Sequence, residues 1–244
     1  MKILSLNNEV HIWCTDLTDK KHDITVMWQT LTPKERIRAD RFLTPNLRRN
    51  FIIARGVLRH ILSRYTQIPA AAISFKQNAY GKISLDTNNS VPQDYPLEFN
   101  LSHSGNLVIY AFTLKHALGV DIEMMRPIKD HHEIAKRFFS EKEIATLLEL
   151  SAENYQTGFF TCWTRKEAFI KALGIGLSYP LHEFTVSIAT QEKHWTLQIE
   201  NTATMTGAET NLKNWSLFTL NPASDYAAAL AVQGKIDKVL YFEF

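Results

Sequence analysis

Three charged side chains fall where their neighbours favour burial. In W-T-R-K-E-A-F-I-K-A-L, Trp163 to Leu173, the residues Phe159, Cys162, Trp163, Phe169, Ile170 and Leu173 recur at the three-and-four spacing of one buried helical stripe, and no Pro or Gly interrupts them. Lys166 and Glu167 sit inside that stripe, and Lys171 follows Glu167 by one turn and projects the same way. A buried carboxylate or ammonium is costly unless it is paired, hydrogen-bonded or bound to a metal. These charges are therefore either a structural ion pair or a site.

A second group of carboxylates lies in G-V-D-I-E, Gly119 to Glu123. Strand alternation sends Val120 and Ile122 to one face and Asp121 and Glu123 to the other. Two carboxylates on one face repel, and a hard cation relieves the repulsion. Oxygen-only ligands favour Mg²⁺ over zinc, with Glu167 as the third ligand, whereas a bare D-x-E also reads as an edge strand with a wet face. Phe99 to Gly105, F-N-L-S-H-S-G, reads as a turn in which Ser102, His103, Ser104 and free N–H groups could hold a phosphate; ordinary turn chemistry is the other reading. Ser102 and His103 form no hydrolase triad, because no G-x-S-x-G elbow exists in the chain. His131-His132 lacks further ligands at metal-binding spacing and reads as solvated.

The elements that must position these groups follow from local signals. Thr32-Pro33-Lys34-Glu35 is a capping box with Pro at the first helical position and starts an arginine-rich helix to Phe42. A longer helix spans Leu47 to Tyr65, with Phe51, Ala54, Leu58, Ile61 and Leu62 on its buried side. Val10 to Trp13, Ala72 to Phe75, Lys82 to Leu85 and Leu107 to Phe112 read as strands, and Asp86 to Tyr95 as a loop. Lys115-His116 reads as a hairpin turn into Ala117 to Glu123. A helix runs from His131 to Phe139. The capping box Ser140-Glu141-Lys142-Glu143 starts another to about Leu150, and a polar loop precedes the Trp163 helix. Beyond Leu181 the chain alternates as five strands: 184–188, 195–199, 215–220, 226–232 and 239–244. Capping box, helix, break, long helix and strand occur once from Thr32 and again from Ser140, which predicts an α+β fold of two similar halves with a cleft between them.

Composition narrows the setting. The chain has 244 residues and a formal charge of +2, with no long Lys/Arg run, so nucleic acid and membrane are not expected as the main partners. No apolar run approaches the roughly 20 residues of a membrane span, and the N-terminus turns polar too early for a signal peptide. Those two readings place the protein in the cytoplasm, and Cys14 and Cys162, far apart and flanked by apolar or aromatic residues, read as buried thiols in a reducing compartment, with a disulfide as the other reading.

Taken together, F-N-L-S-H-S, G-V-D-I-E with a following R-P, R-F-F-S-x-x-E and W-T-R-K-E-A-F-I-K-A-L-G-x-G-L resemble the surfactin-synthetase-type 4′-phosphopantetheinyl transferases. The motifs stand in the family's order and spacing over most of Thr32 to Leu177. The resemblance implies two α+β halves related by a pseudo-twofold, residues 1–115 and 116–244, with coenzyme A and Mg²⁺ at their interface. Both halves lie in one chain, so it implies a monomer, unlike the short single-half synthases that trimerise. The implied reaction moves the 4′-phosphopantetheine of coenzyme A to a serine of an acyl or peptidyl carrier protein and releases 3′,5′-ADP. A non-catalytic module that binds a carrier or coenzyme A on the same scaffold is the alternative.

By the same resemblance Asp121, Glu123 and Glu167 are Mg²⁺ ligands, Glu167 is also the base, and Lys171 serves the leaving group. Lys82, Ser102, His103 and Lys166 contact the coenzyme, with Lys171. Arg49 matches the residue that binds the 3′-phosphate, with Asn50 beside it in the alignment. Family members commonly carry Pro after the G-K of the turn, where this chain has Ile83. Arg126, Lys129, Lys136 and Arg137 could form a docking face for an acidic carrier, or a solvated face.

Overall fold

A computed structural model describes residues 6, 8–86, 96–176, 179–189, 192–199 and 214–244. The first part of the chain forms β1 (Glu9–Asp16), α1 (Ile24–Thr30), α2 (Pro33–Asp40), α3 (Pro45–Thr66), β2 (Phe75–Gln77), β3 (Ile83–Leu85), β4 (Leu97–Ser104) and β5 (Leu107–Leu114). The second forms β6 (Leu118–Met124), α4 (His131–Phe138), α5 (Glu141–Glu149), α6 (Ala152–Leu173), β7 (Phe184–Val186), β8 (Leu197–Ile199), β9 (Trp215–Leu220), β10 (Tyr226–Gln233) and β11 (Lys238–Glu243). Both capping boxes close. Thr32 N donates to Glu35 Oε2 at 2.9 Å and Ser140 N to Glu143 Oε2 at 2.7 Å, while each hydroxyl accepts the N–H three residues on.

Two sheets back onto each other. The first has the order β11-β1-β5-β4 and the second β6-β10-β9. On β5, Val108, Tyr110 and Phe112 join the core under α3, and Tyr110 Oη donates to Ala54 O at 2.9 Å. Its alternate residues Ile109 and Ala111 pack with Leu118, Val120 and Ile122 of β6 and Leu230 of β10. On β10, Ala227, Ala229 and Ala231 join the core under α6. The layers therefore run α3, first sheet, second sheet, α6: an α+β fold of two halves, each a long helix on a sheet. Central strands with helix on one side and sheet on the other have no wet face, which is why β5 and β10 read as near-continuous apolar runs.

Several expectations are corrected. Phe99 to Ser104 is strand, not turn, and only Gly105-Asn106 turns, with Gly105 at φ +54. Lys115-His116 closes no hairpin, because β5 and β6 belong to different sheets. The predicted polar loop before Trp163 is the first part of α6, which starts at Ala152. Ala70–Ala72 is a 3-10 turn, and β2 begins only at Phe75. Helix α1 was not expected: it is short and rich in β-branched residues, but Asp23 caps it by accepting from Thr25 N and Val26 N. The predicted loop at residues 87–95 lies outside the described residues. β11 pairs parallel with β1, Glu9 opposite Lys238 through Cys14 opposite Glu243, so the last strand belongs to the first sheet. Among the described residues no helix is long and apolar enough to cross a membrane.

From Gly158 onward helix α6 is buried nearly all round, not along one stripe. Lys166 and Glu143 are both at most 1 % exposed, with Nζ and Oε2 2.8 Å apart. Lys166 Nζ also donates to Leu181 O (2.7 Å) and Phe184 O (2.6 Å), and Glu143 Oε1 accepts from Val186 N (2.7 Å). The pair thus joins α5, α6 and β7 with its polar valences filled. Removing one partner strands the other charge. Lys166→Met is expected to cost about 3–5 kcal/mol in urea unfolding, and adding Glu143→Gln, which removes the stranded charge and keeps an acceptor for a backbone N–H, to recover part of that loss.

Candidate active site

The site begins with a missing side chain. On β6, Gly119, Asp121 and Glu123 alternate with the residues facing the first sheet. A Cβ at Gly119 would stand 2.1 Å from Ala168 O and 2.2 Å from Ala172 N. Glycine is what lets the backbone of α6 rest on β6, and that contact sets Glu167 and Lys171 beside Asp121. Lys171 Nζ lies 2.6 Å from Asp121 Oδ1 and donates to Ser102 Oγ at 2.9 Å. The Ser102 hydroxyl in turn donates to Asp121 Oδ1 at 2.8 Å, closing a three-membered network.

β4 supplies its polar side chains at period two. Asn100 Oδ1 accepts from Val120 N (3.0 Å), Ser102 joins Asp121, and Ser104 Oγ donates to Glu123 Oε2 (2.6 Å). The three bridge from one sheet to the other and fix the register of the acidic strand. Asn100 was given no role by the sequence, and Ser104 only that of a turn hydroxyl, although N-x-S-x-S is a strand alternation.

Electrostatics mark this cluster as unfinished. Burial, with the charges of Asp121 and Glu123 added and Lys171 opposing, pushes the Glu167 carboxyl up to about 7. Burial likewise raises Glu123. Asp121 Oδ2 is buried and has no hydrogen-bond partner among the described residues. A stranded carboxylate oxygen among mutually repelling carboxylates fits a hard divalent cation. Among the described residues no three acidic, imidazole or thiol groups already close into a metal cage.

A cavity of about 270 Å³ lies over the cluster, with Tyr80, Gly81 and Lys82 on one wall and Glu167, Ile170 and Lys171 on the other. It adjoins one of about 570 Å³, sharing Gly81, Ile83 and Leu101 and reaching Arg38, Arg55 and His103. Burial lowers the pKa of His103, with the Lys171 charge adding to it, which favours a neutral imidazole. Arg55 is held by Glu35 at 3.4 Å and lies over the Phe75 ring. Arg38 and Arg55 were not separated from the other helix arginines by spacing alone.

The structure thus gathers Asp121, Glu123, Glu167, Lys171 and Ser102, with His103 on the adjoining cavity. Three expected residues stand differently. Lys166 is spent inside the second half, on Glu143 and the carbonyls of Leu181 and Phe184, and lines neither cavity. Arg49 donates to Leu17 O and lines neither cavity, whereas Asn50 lines the larger one. Lys82 forms wall, but its ammonium donates to Leu118 O (3.0 Å) and Ala172 O (3.1 Å).

Known proteins share this pattern. Residues 17–115 match the 4′-phosphopantetheinyl transferase N-terminal family and residues 117–231 the 4′-phosphopantetheinyl transferase superfamily. The chain is 34% identical over 229 residues to the 4′-phosphopantetheinyl transferase HetI of Nostoc, covering 94% of this chain and 90% of that protein. It is 35% identical over 158 residues to the 4′-phosphopantetheinyl transferase Sfp of Bacillus subtilis, 65% of this chain and 66% of the relative. The human L-aminoadipate-semialdehyde dehydrogenase-phosphopantetheinyl transferase is 30% identical over 168 residues, 65% and 54% of the two chains. With likeness over nearly the whole length, two matched halves and an acidic cluster in the cleft between them, the chain belongs to the 4′-phosphopantetheinyl transferase family.

Proposed function

We propose that the protein transfers 4′-phosphopantetheine from coenzyme A to a serine hydroxyl of an acyl or peptidyl carrier protein. The observation that carries this reading is the buried cluster of Asp121, Glu123 and Glu167 with Lys171 and Ser102, beside two adjoining cavities of about 270 and 570 Å³. Asp121, Glu123 and Glu167 would hold Mg²⁺. When bound, that ion supplies positive charge to the coenzyme's pyrophosphate.

The chain's own groups do the rest. Glu167 accepts the serine proton, directly or through one water, as the serine oxygen bonds to the β-phosphorus. The phosphoanhydride bond breaks and 3′,5′-ADP leaves. Lys171 balances the charge that develops on the departing phosphate and can give it a proton. Ser102 keeps the ammonium aimed, since it accepts from Lys171 while donating to Asp121. His103, with Arg38 and Arg55, binds phosphate in the larger cavity, where Arg49 holds Leu17 of the wall, and Lys82 holds the wall of the smaller cavity. Acidic carriers would approach over Arg126, Lys129 and α4. A single chain carrying both halves supports a monomer. Cys14 and Cys162 are free thiols, in keeping with the cytoplasm.

Incubation with a panel of apo-carriers, coenzyme A and Mg²⁺ should add one phosphopantetheine to the carrier mass; no gain on any carrier would sink the reading. Glu167→Gln is expected to slow transfer about 10²–10⁴-fold with the fold intact, and a near-normal rate would remove Glu167 from the mechanism. The raised carboxyl also has a signature in stability. A carboxyl at about 7 in the folded chain and 4.5 by default is neutral in both states at low pH, and its ionisation destabilises the fold as pH rises between those values. Without divalent cation, Glu167→Gln should therefore raise Tm at about pH 8 and leave it near wild type at about pH 4.

A further inference from the structure

The arm formed by β2 and β3 is the least self-supporting wall of the cleft. It is a sheet by itself, of two three-residue strands, and a hairpin of that size is marginal in water. Its tip nevertheless faces Glu167, Ile170, Lys171 and Gly174 across the smaller cavity.

The Asn78 side chain bridges the tip and the helix with both ends of its amide. Its Oδ1 accepts from Tyr80 N (3.0 Å) and Lys82 N (2.9 Å), which shapes the turn. Its Nδ2 donates to Gly174 O at 2.7 Å, on the residue that caps α6. Gly174 is left-handed at φ +73, and a Cβ there would stand 3.2 Å from Lys82 Cδ and 3.3 Å from Asn78 Nδ2, so arm and helix end are in contact. The Lys82 ammonium adds a second tie, to Leu118 O and Ala172 O. Carbonyls at a helix C-terminus favour such a donor.

We propose that Asn78 is a positioning residue for the transfer reaction: it latches the arm to the end of α6 and so sets the width of the cavity that receives coenzyme A. This rests on the reading of the cavity given under Proposed function. Asn78 touches no reacting atom. Without the latch the arm samples wider positions and holds the nucleotide less tightly, while Asp121, Glu123, Glu167 and Lys171 keep their places on β6 and α6. The loss should appear in KM for coenzyme A and not in kcat.

Asn78→Asp separates the two ends of the amide. It keeps an oxygen for the Tyr80 and Lys82 amides and turns a second oxygen toward the Gly174 carbonyl. Asn78 is exposed, so the core is untouched. The variant should raise KM for coenzyme A about tenfold, with kcat within about twofold of wild type and Tm unchanged. Hydrogen exchange at the Gly81 and Lys82 amides should quicken while that of α6 holds, and calorimetry should give weaker binding of 3′,5′-ADP. An unchanged KM, or a loss confined to kcat, overturns the latch. Exchange and calorimetry need no transfer. A wild-type chain that modifies no carrier refutes the functional reading, and unchanged exchange and 3′,5′-ADP affinity in Asn78→Asp refute the latch by itself.

Discussion

The backbone contact between α6 and β6 at Gly119 governs the rest of the site. Helices usually stand off a sheet by the length of their side chains, and that distance can relax by a change of rotamer. Here Ala168 and Ala172 on the helix meet Gly119 on the strand, and Ala227, Ala229 and Ala231 continue the small surface on the neighbouring strand. With so little side chain between them, the two elements cannot slide without backbone clash. The carboxylates of β6 and the Glu167–Lys171 pair of α6 are therefore held in a fixed relation by packing, before any ligand is considered. Asn100, Ser102 and Ser104 reach across from the other sheet and complete that frame.

Helix α6 also illustrates how buried charges divide between structure and chemistry. Arg165 and Lys166 precede Glu167 directly, and all three lie in a low-dielectric setting. Arg165 donates to Ser187 O, Ala189 O and Thr219 Oγ1, and Lys166 to two carbonyls and Glu143. Lys166 is matched by Glu143 and Arg165 faces Glu192 at 3.6 Å, so both charges are part of the fold. Glu167 is buried with carboxylates for neighbours, and among the described residues the Lys171 ammonium alone offsets them, so its affinity for a proton rises. Repulsion left standing in a packed interior costs stability and is informative for that reason.

Much of this was legible in the sequence because it rests on local signals. The capping boxes, the alternation of Asp121 and Glu123, and the one-turn spacing of Glu167 and Lys171 are short-range patterns, and each produced the geometry expected of it. What was hidden depends on distant partners. β4 resembled a turn because its polar residues are common in turns; they are polar because they bridge to another sheet. Lys166 looked like a site residue because Glu143, its partner, lies on a separate helix with its own local role as a cap. Asn50 rather than Arg49 lines the larger cavity, a distinction of one helical step that spacing on an arginine-rich helix cannot resolve. Nothing local in residues 238–243 indicates that they complete a sheet begun at Glu9.

That last pairing has a consequence for how the chain is made. β1 is flanked by β5 on one side and β11 on the other, so one edge of it stays open until residues 238–243 have been synthesised. During translation the nascent first half carries an unpaired strand edge with apolar residues on both faces, a surface prone to mispairing with other chains. Closing it joins segments nearly the full chain length apart, the kind of contact that forms last and slowly. The first sheet is therefore complete only once residues 238–243 are available to pair with β1.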